Sequence, residues 1–299
     1  MEAFIFFRTG WKEWAPPFFD FERFLMTLYC KGAISLEKKK RLCLLAIGNS
    51  FSEDATRWLC ELAHAAGVEE VCLGNLYIGG CTLERHAANA KTGAADYLYM
   101  KNTGAGWTSR PASLLDGLTE EVWDIITLQQ ASGYSGIAET YNADLDALIA
   151  FVSAHKKNPD ARLYWHMTWA YEGGSDHPDF AKYGRNQRQM YAAILSAVEE
   201  KICPRPEFSG VIPVGTTIQN LRNLVGDRLT RDGYHLSLGL GRYAAAMTWL
   251  HTLTGEEVEP ILWTPEEEPI SADELAAVKR AVLAAARSPF ADNFSKNEK

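Results

Sequence analysis

From Arg41 onward, apolar residues come in two alternating patterns. Leu42–Ile47 is an unbroken apolar run that stops at Gly48-Asn49-Ser50, as a strand buried on both faces does. Asp54–Ala66 follows with Ala55, Trp58, Leu59, Leu62 and Ala63 at helical spacing. The alternation continues with strands at Glu70–Leu76, Trp123–Leu128, Arg162–Trp169 and Gly210–Val214. Helices are expected at Leu145–His155, Gln187–Ile202 and Gly239–Leu253. Strands alternating with helices predict an α/β domain, a parallel sheet covered on both faces. Beyond Thr264-Pro265 the pattern leaves one Ala-rich helix, Ala272–Arg287, and a tail.

Residues 1–40 break this pattern. They are rich in aromatic residues (Phe4, Phe6, Phe7, Trp11, Trp14, Phe18, Phe19) and end in Lys38-Lys39-Lys40. An arm over the domain, a lid, an oligomer contact and sequence upstream of a start at Met26 all fit. The expected organisation is therefore an arm over 1–40, the α/β domain over 41–263, and a C-terminal helix and tail over 264–299.

Composition narrows the function classes. Of 299 residues, 47% are hydrophobic and 23% charged, with a net charge of -8. Such an acidic chain argues against nucleic acid, whose phosphates call for clustered Lys and Arg. No apolar stretch approaches the roughly 20 residues of a membrane helix, so no membrane partner is expected. The FIFF run near the start ends at Arg8, short of a secretory signal's apolar region. The six cysteines have no CxxC spacing, so reduced thiols and a cytoplasmic location are expected.

In open parallel sheets, chemistry gathers at the carboxyl ends of the strands. Ser50 follows the first strand directly, with free backbone N–H groups around it. A serine there also serves as a helix N-cap, so the position alone does not make a nucleophile. Asp232-Gly233-Tyr234-His235 supplies what a serine nucleophile needs. A carboxylate three residues before a histidine can hold its Nδ1–H and leave Nε2 as base. The loop after the first strand lacks the Gly-rich or Gly-Lys-Ser features of a nucleotide binder, and His166, His177, Asp176 and Asp179 lack metal spacing.

Taken together, IGNSFSEDA, IGGCTLERH, IPVGTTIQN and RDGYHLSLGLGRYAAA resemble the sequence blocks of SGNH (GDSL-type) hydrolases, over roughly Arg41 to Gly255. The resemblance implies a three-layer α/β/α flavodoxin-like fold and ester hydrolysis without cofactor or metal. It implies Ser50 as nucleophile, His235 as base and Asp232 as its partner, with Ser50 and Gly80 N–H groups in the oxyanion hole. Two blocks depart from the family pattern. Asn49 stands where Asp is usual, and Gln129-Gln130 stands where Gly-x-Asn-Asp is usual. Gln129 or Gln130 could supply the missing oxyanion donor, or could simply brace a loop. Asn49, His166 and Trp169 are candidates for the substrate pocket. The expected substrate is a small-molecule or oligosaccharide ester, foremost an O-acetylated sugar. A short-chain lipid or thioester and a silent carbohydrate-binding domain are the alternatives.

Overall fold

The computed structural model describes residues 41–292, so the aromatic arm expected over 1–40 lies outside the described residues. A seven-stranded sheet runs through the molecule: β1 (Arg41–Gly48), β2 (Glu70–Tyr77), β3 (Tyr97–Asn102), β4 (Trp107–Ala112), β5 (Ile125–Leu128), β6 (Arg162–His166) and β7 (Phe208–Ile212). Their spatial order is β4-β3-β2-β1-β5-β6-β7. β1 lies at the centre between β2 and β5, parallel to both, and all of it but Arg41 is buried. That burial is why its sequence is continuously apolar rather than alternating.

The helices are α1 (Ser50–Thr56), α2 (Leu59–Ala65), α3 (Leu83–Thr92), α4 (Leu114–Glu120), α5 (Ala143–His155), α6 (Gln187–Lys201), α7 (Val214–Val225), α8 (Leu240–Thr254) and α9 (Ala272–Arg287). They fall into groups that pack among themselves. α3, α4 and α5 form one, while α8 joins α1, α2, α7 and α9 in another. This is the expected α/β architecture of a sheet flanked by helices.

Three features differ from the sequence reading. First, the sheet is mixed, because β3 and β4 form an antiparallel hairpin on its edge. Along β3, Tyr97 and Tyr99 are buried while Leu98 is exposed, and β4 is mostly exposed with Pro111 near its end. An edge hairpin with one wet face tolerates polar residues, and β4 (WTSRPA) has no apolar run to pair with the Tyr97–Met100 run of β3. Second, the helix expected over Asp54–Ala66 is two short helices joined at Arg57-Trp58. Third, α7 occupies the IPVGTTIQN block, where Gly215, Thr216 and Thr217 are poor helix formers. Packing overrides propensity there, since Val214 to Arg222 are all buried.

Cys43, Cys60, Cys72 and Cys81 are free thiols. Among the described residues no helix is long and apolar enough to cross a membrane.

α9 packs on α7 and α8, and its Val278, Ala281, Val282 and Ala285 are buried. It is part of the domain core rather than an appendage beyond it. Val282→Asp would bury an unpaired carboxylate, at a cost of roughly 3 kcal/mol. The thermal midpoint of the whole domain should fall by roughly 6–12 °C in scanning calorimetry. A dispensable helix would leave the midpoint where it is.

Candidate active site

Ser50 opens α1 immediately beyond the carboxyl end of β1, but the helix is capped by its neighbour. The Asn49 side chain accepts the Phe51 N–H at 2.9 Å. Ser50 is thus released from the capping role, and its Oγ lies 2.8 Å from His235 Nε2. His235 Nδ1 in turn lies 2.7 Å from Asp232 Oδ2. The His235 backbone N–H donates to the other oxygen, Asp232 Oδ1, at 2.8 Å. Burial pushes the Asp232 carboxyl up, but the hydrogen bonds and charge of His235 outweigh it and hold it below the usual carboxylate range. With Nδ1–H committed to Asp232, Nε2 is left to take the serine proton. This geometry can turn a weak hydroxyl into a nucleophile.

The turn bearing Asp232 and His235 is clamped to the helix that bears Ser50. Asp54, wholly buried, accepts from Arg231 Nη1 at 3.0 Å, Arg242 Nε at 2.7 Å and the Leu236 N–H at 2.8 Å. From the opposite side, Trp169 Nε1–H donates to the Tyr234 carbonyl at 2.8 Å, and Glu172 N–H to the Gly233 carbonyl at 2.8 Å. Phe51 stacks on Trp169 with ring centroids 4.1 Å apart. Sequence reasoning did not single out Asp54, Arg231, Arg242 or Glu172. The one available signal for Asp54, Arg231 and Arg242 was the clustering of charged residues inside two of the motif blocks; Glu172 lies outside every block.

Gly80 sits in the loop after β2 with φ +62, the left-handed region glycine favours. Cys81 N–H closes a turn onto the Ile78 carbonyl at 3.1 Å. The Gly80 and Ser50 N–H groups have no hydrogen-bond partner among the described residues, as an oxyanion hole requires.

The glutamines lie elsewhere. Gln129 is 2% exposed; its Nε2 donates to Asn49 Oδ1 and its Oε1 faces His166 Nδ1, both at 2.8 Å. Gln130 is equally buried. Its Oε1 accepts from the Leu83 and Ala131 N–H groups, and its Nε2 donates to Thr140. Their amides brace the scaffold beneath the serine, which matches the loop-bracing alternative of the two left open by the sequence rather than the side-chain oxyanion donor. The pocket candidates move the same way. Asn49, His166 and Trp169 are each at most 1% exposed and lie behind the site. Gly48 makes this layering possible, because a Cβ there would come within 2.9 Å of Gln129 Cδ. No cluster of three or more metal-ligating side chains occurs among the described residues.

A fold of this topology with a serine, histidine and aspartate in series frames the comparisons. The family model described as a domain of unknown function (DUF4886) matches residues 43–285, and the chain belongs to that family. It is similar to the crystal structure of a DUF4886 family protein from Bacteroides uniformis ATCC 8492. The two are 37% identical with a TM-score of 0.80, over 86% of this chain and 98% of that one. An acetylxylan esterase from Geobacillus stearothermophilus is 13% identical with a TM-score of 0.42, over 74% of this chain and 94% of that one. An alpha/beta hydrolase enzyme from the metagenome of Lake Arreo, Spain, is 12% identical with a TM-score of 0.42, over 71% of this chain and 93% of that one. No curated protein matches.

Two outcomes follow from this geometry. Asp54→Ala leaves two guanidinium groups facing an emptied buried site and should cost about 3 kcal/mol in urea unfolding. It should also expose the 228–238 turn to limited proteolysis. The pH dependence follows from Asp232, whose depressed folded-state pKa stabilises the protein above the ordinary carboxylate value of about 3.9. That contribution disappears as pH falls through the lower folded value. Asp232→Asn should therefore flatten the fall in stability as pH drops below the ordinary carboxylate value of about 3.9, read from denaturation midpoints across a descending pH series.

Proposed function

We propose that this protein is a serine esterase, hydrolysing a carboxylic ester through an acyl-Ser50 intermediate. The observation that carries the reading is the unbroken series Ser50 Oγ, His235 Nε2, His235 Nδ1 and Asp232 Oδ2, with links of 2.8 and 2.7 Å. Ser50 Oγ attacks the ester carbonyl as His235 takes its proton. The tetrahedral oxyanion is held by the Ser50 and Gly80 N–H groups. His235 then protonates the departing alcohol, and a water molecule deacylates the serine by the same route. Asp232 keeps the imidazole in the working tautomer throughout. No step calls on a metal or organic cofactor.

For substrate we propose an O-acetylated carbohydrate. Tyr234, half-buried, packs its ring 4.1 Å from that of His235 and 4.5 Å from that of His177, giving an aromatic surface beside the base. A cleft of about 660 Å³ lined by Glu53, Arg57, Trp58, Trp107 and Trp263, among others, shares α1 with Ser50. The half-buried indoles of Trp107 and Trp263 beside carboxylates suit the apolar faces and hydroxyls of a sugar ring.

The test is direct. Ser50→Ala and His235→Ala should each lower kcat on p-nitrophenyl acetate by on the order of 10⁴-fold, the double variant being little worse. Asp232→Asn should leave a small residue of activity. A fluorophosphonate should label Ser50, seen by peptide mass spectrometry, and dialysis against EDTA should change nothing. Wild-type turnover in Ser50→Ala would end the reading.

A further inference from the structure

We infer that His166, buried beneath the site and out of reach of substrate, is a positioning residue for the oxyanion hole, acting through Gln129 and Asn49. The inference rests on the esterase reading above and adds to it the residues that hold the hole in shape.

The direction of every hydrogen bond in this chain is forced. Phe51 N–H can only donate, so the Asn49 atom it meets is the carbonyl Oδ1. That oxygen receives a second bond at 2.8 Å, which must come from the Gln129 amide nitrogen. Gln129 then presents its carbonyl Oε1 at the other end, 2.8 Å from His166 Nδ1. An amide oxygen only accepts, so Nδ1 carries the proton. His166 Nε2 is buried and has no partner among the described residues, so nothing there would stabilise a second proton. Burial lowers the His166 pKa to about 3, so the ring is neutral. Its ring packs T-shaped against Trp249 with centroids 4.9 Å apart, which restrains its plane.

The consequence appears at Asn49. With Oδ1 claimed on one side, Nδ2 is turned to the Cys81 carbonyl at 3.3 Å. Asn49 immediately precedes Ser50, and Cys81 immediately follows Gly80. One side chain thus ties together the two loops that carry the free N–H groups. Were the Gln129 amide to turn over, two carbonyl oxygens would face each other at Oδ1, and the Asn49 link to Cys81 would loosen. His166 prevents that turn because its single N–H matches only the observed orientation. A buried polar series of this kind is strong only while each member is satisfied.

His166→Phe keeps a ring of similar size and removes the donor, while His166→Asn can place an amide N–H near the former Nδ1. The full chain is assayed with p-nitrophenyl acetate and by the rate of Ser50 phosphonylation. His166→Phe should lower kcat per folded molecule about 10–100-fold, with KM within about twofold, because donors displaced by a fraction of an ångström fail mainly in the transition state. Phosphonylation should slow in parallel, and His166→Asn should retain at least about a third of wild-type kcat. A ring that merely fills space predicts a lower melting temperature in both variants and unchanged kcat per folded molecule, which overturns the inference. If His166→Phe does not fold, ¹⁵N NMR of the wild type decides. The neutral Nδ1–H tautomer at pH 7 supports the relay; the Nε2–H tautomer or an imidazolium overturns it. A wild type that neither hydrolyses the ester nor takes up phosphonate at Ser50 overturns both readings. Activity abolished in Ser50→Ala but intact in His166→Phe overturns the relay alone.

Discussion

The carboxylate of Asp54 lies one turn along the helix from Ser50, has no exposure to solvent, and gathers two guanidinium groups and a backbone N–H from 177 to 188 residues further along the chain. A buried carboxylate without partners is costly, and so is a cation stripped of its counterion. The turn bearing Asp232 and His235 therefore cannot drift from α1 without stranding charge on both sides. This fixes the gap between Ser50 and His235 at hydrogen-bond length. The opposite flank is set by the segment after β6, where Trp169 and Glu172 hold the carbonyls of Tyr234 and Gly233. The Ser50–His235–Asp232 series is thus suspended between an ionic clamp and a neutral one, and neither includes an atom of the series itself.

How far this was legible in the sequence depended on the kind of signal. The central strand could be read because a strand covered on both faces must be continuously apolar, and Leu42–Ile47 is. That Ser50, Asp232 and His235 come together could be read because a carboxylate three residues before a histidine can reach its Nδ1, and a serine at the end of the central strand lies at the same rim of the sheet. The β3–β4 hairpin could not, since its exposed edge tolerates Thr108, Ser109 and Arg110 and so erases the alternation. α7 could not either: Gly215 is required where a Cβ would come within 2.3 Å of the Thr168 carbonyl oxygen, and that packing demand contradicts local propensity. Asp54 was invisible as a clamp because its partners lie at the far end of the chain.

Gln129 shows a subtler limit. An amide at the carboxyl end of a strand can face the cleft or the layer below, and nothing in QQAS distinguishes the two. What decides is Gly48, whose missing side chain leaves room for Gln129 to pass beneath the turn. The decisive information sat 81 residues away from the residue it governs.

The two positions at which the sequence differs from the SGNH blocks it resembles then become one coherent exchange. Where that pattern has an asparagine in the third block, this chain has glutamines whose amides are consumed internally. Where it has Asp before the serine, this chain has Asn49. An aspartate at 49 could accept from Phe51 and Gln129 as Asn49 does, but it would have no hydrogen to give the Cys81 carbonyl and would set a buried negative charge against that oxygen. The amide is needed because one residue must accept on one side and donate on the other. Gln129 suits it for the same reason, since a glutamate there would face Asn49 Oδ1 with a second acceptor. Asparagine at 49 and glutamine at 129 thus require each other, and His166 terminates the series with the one proton it can offer.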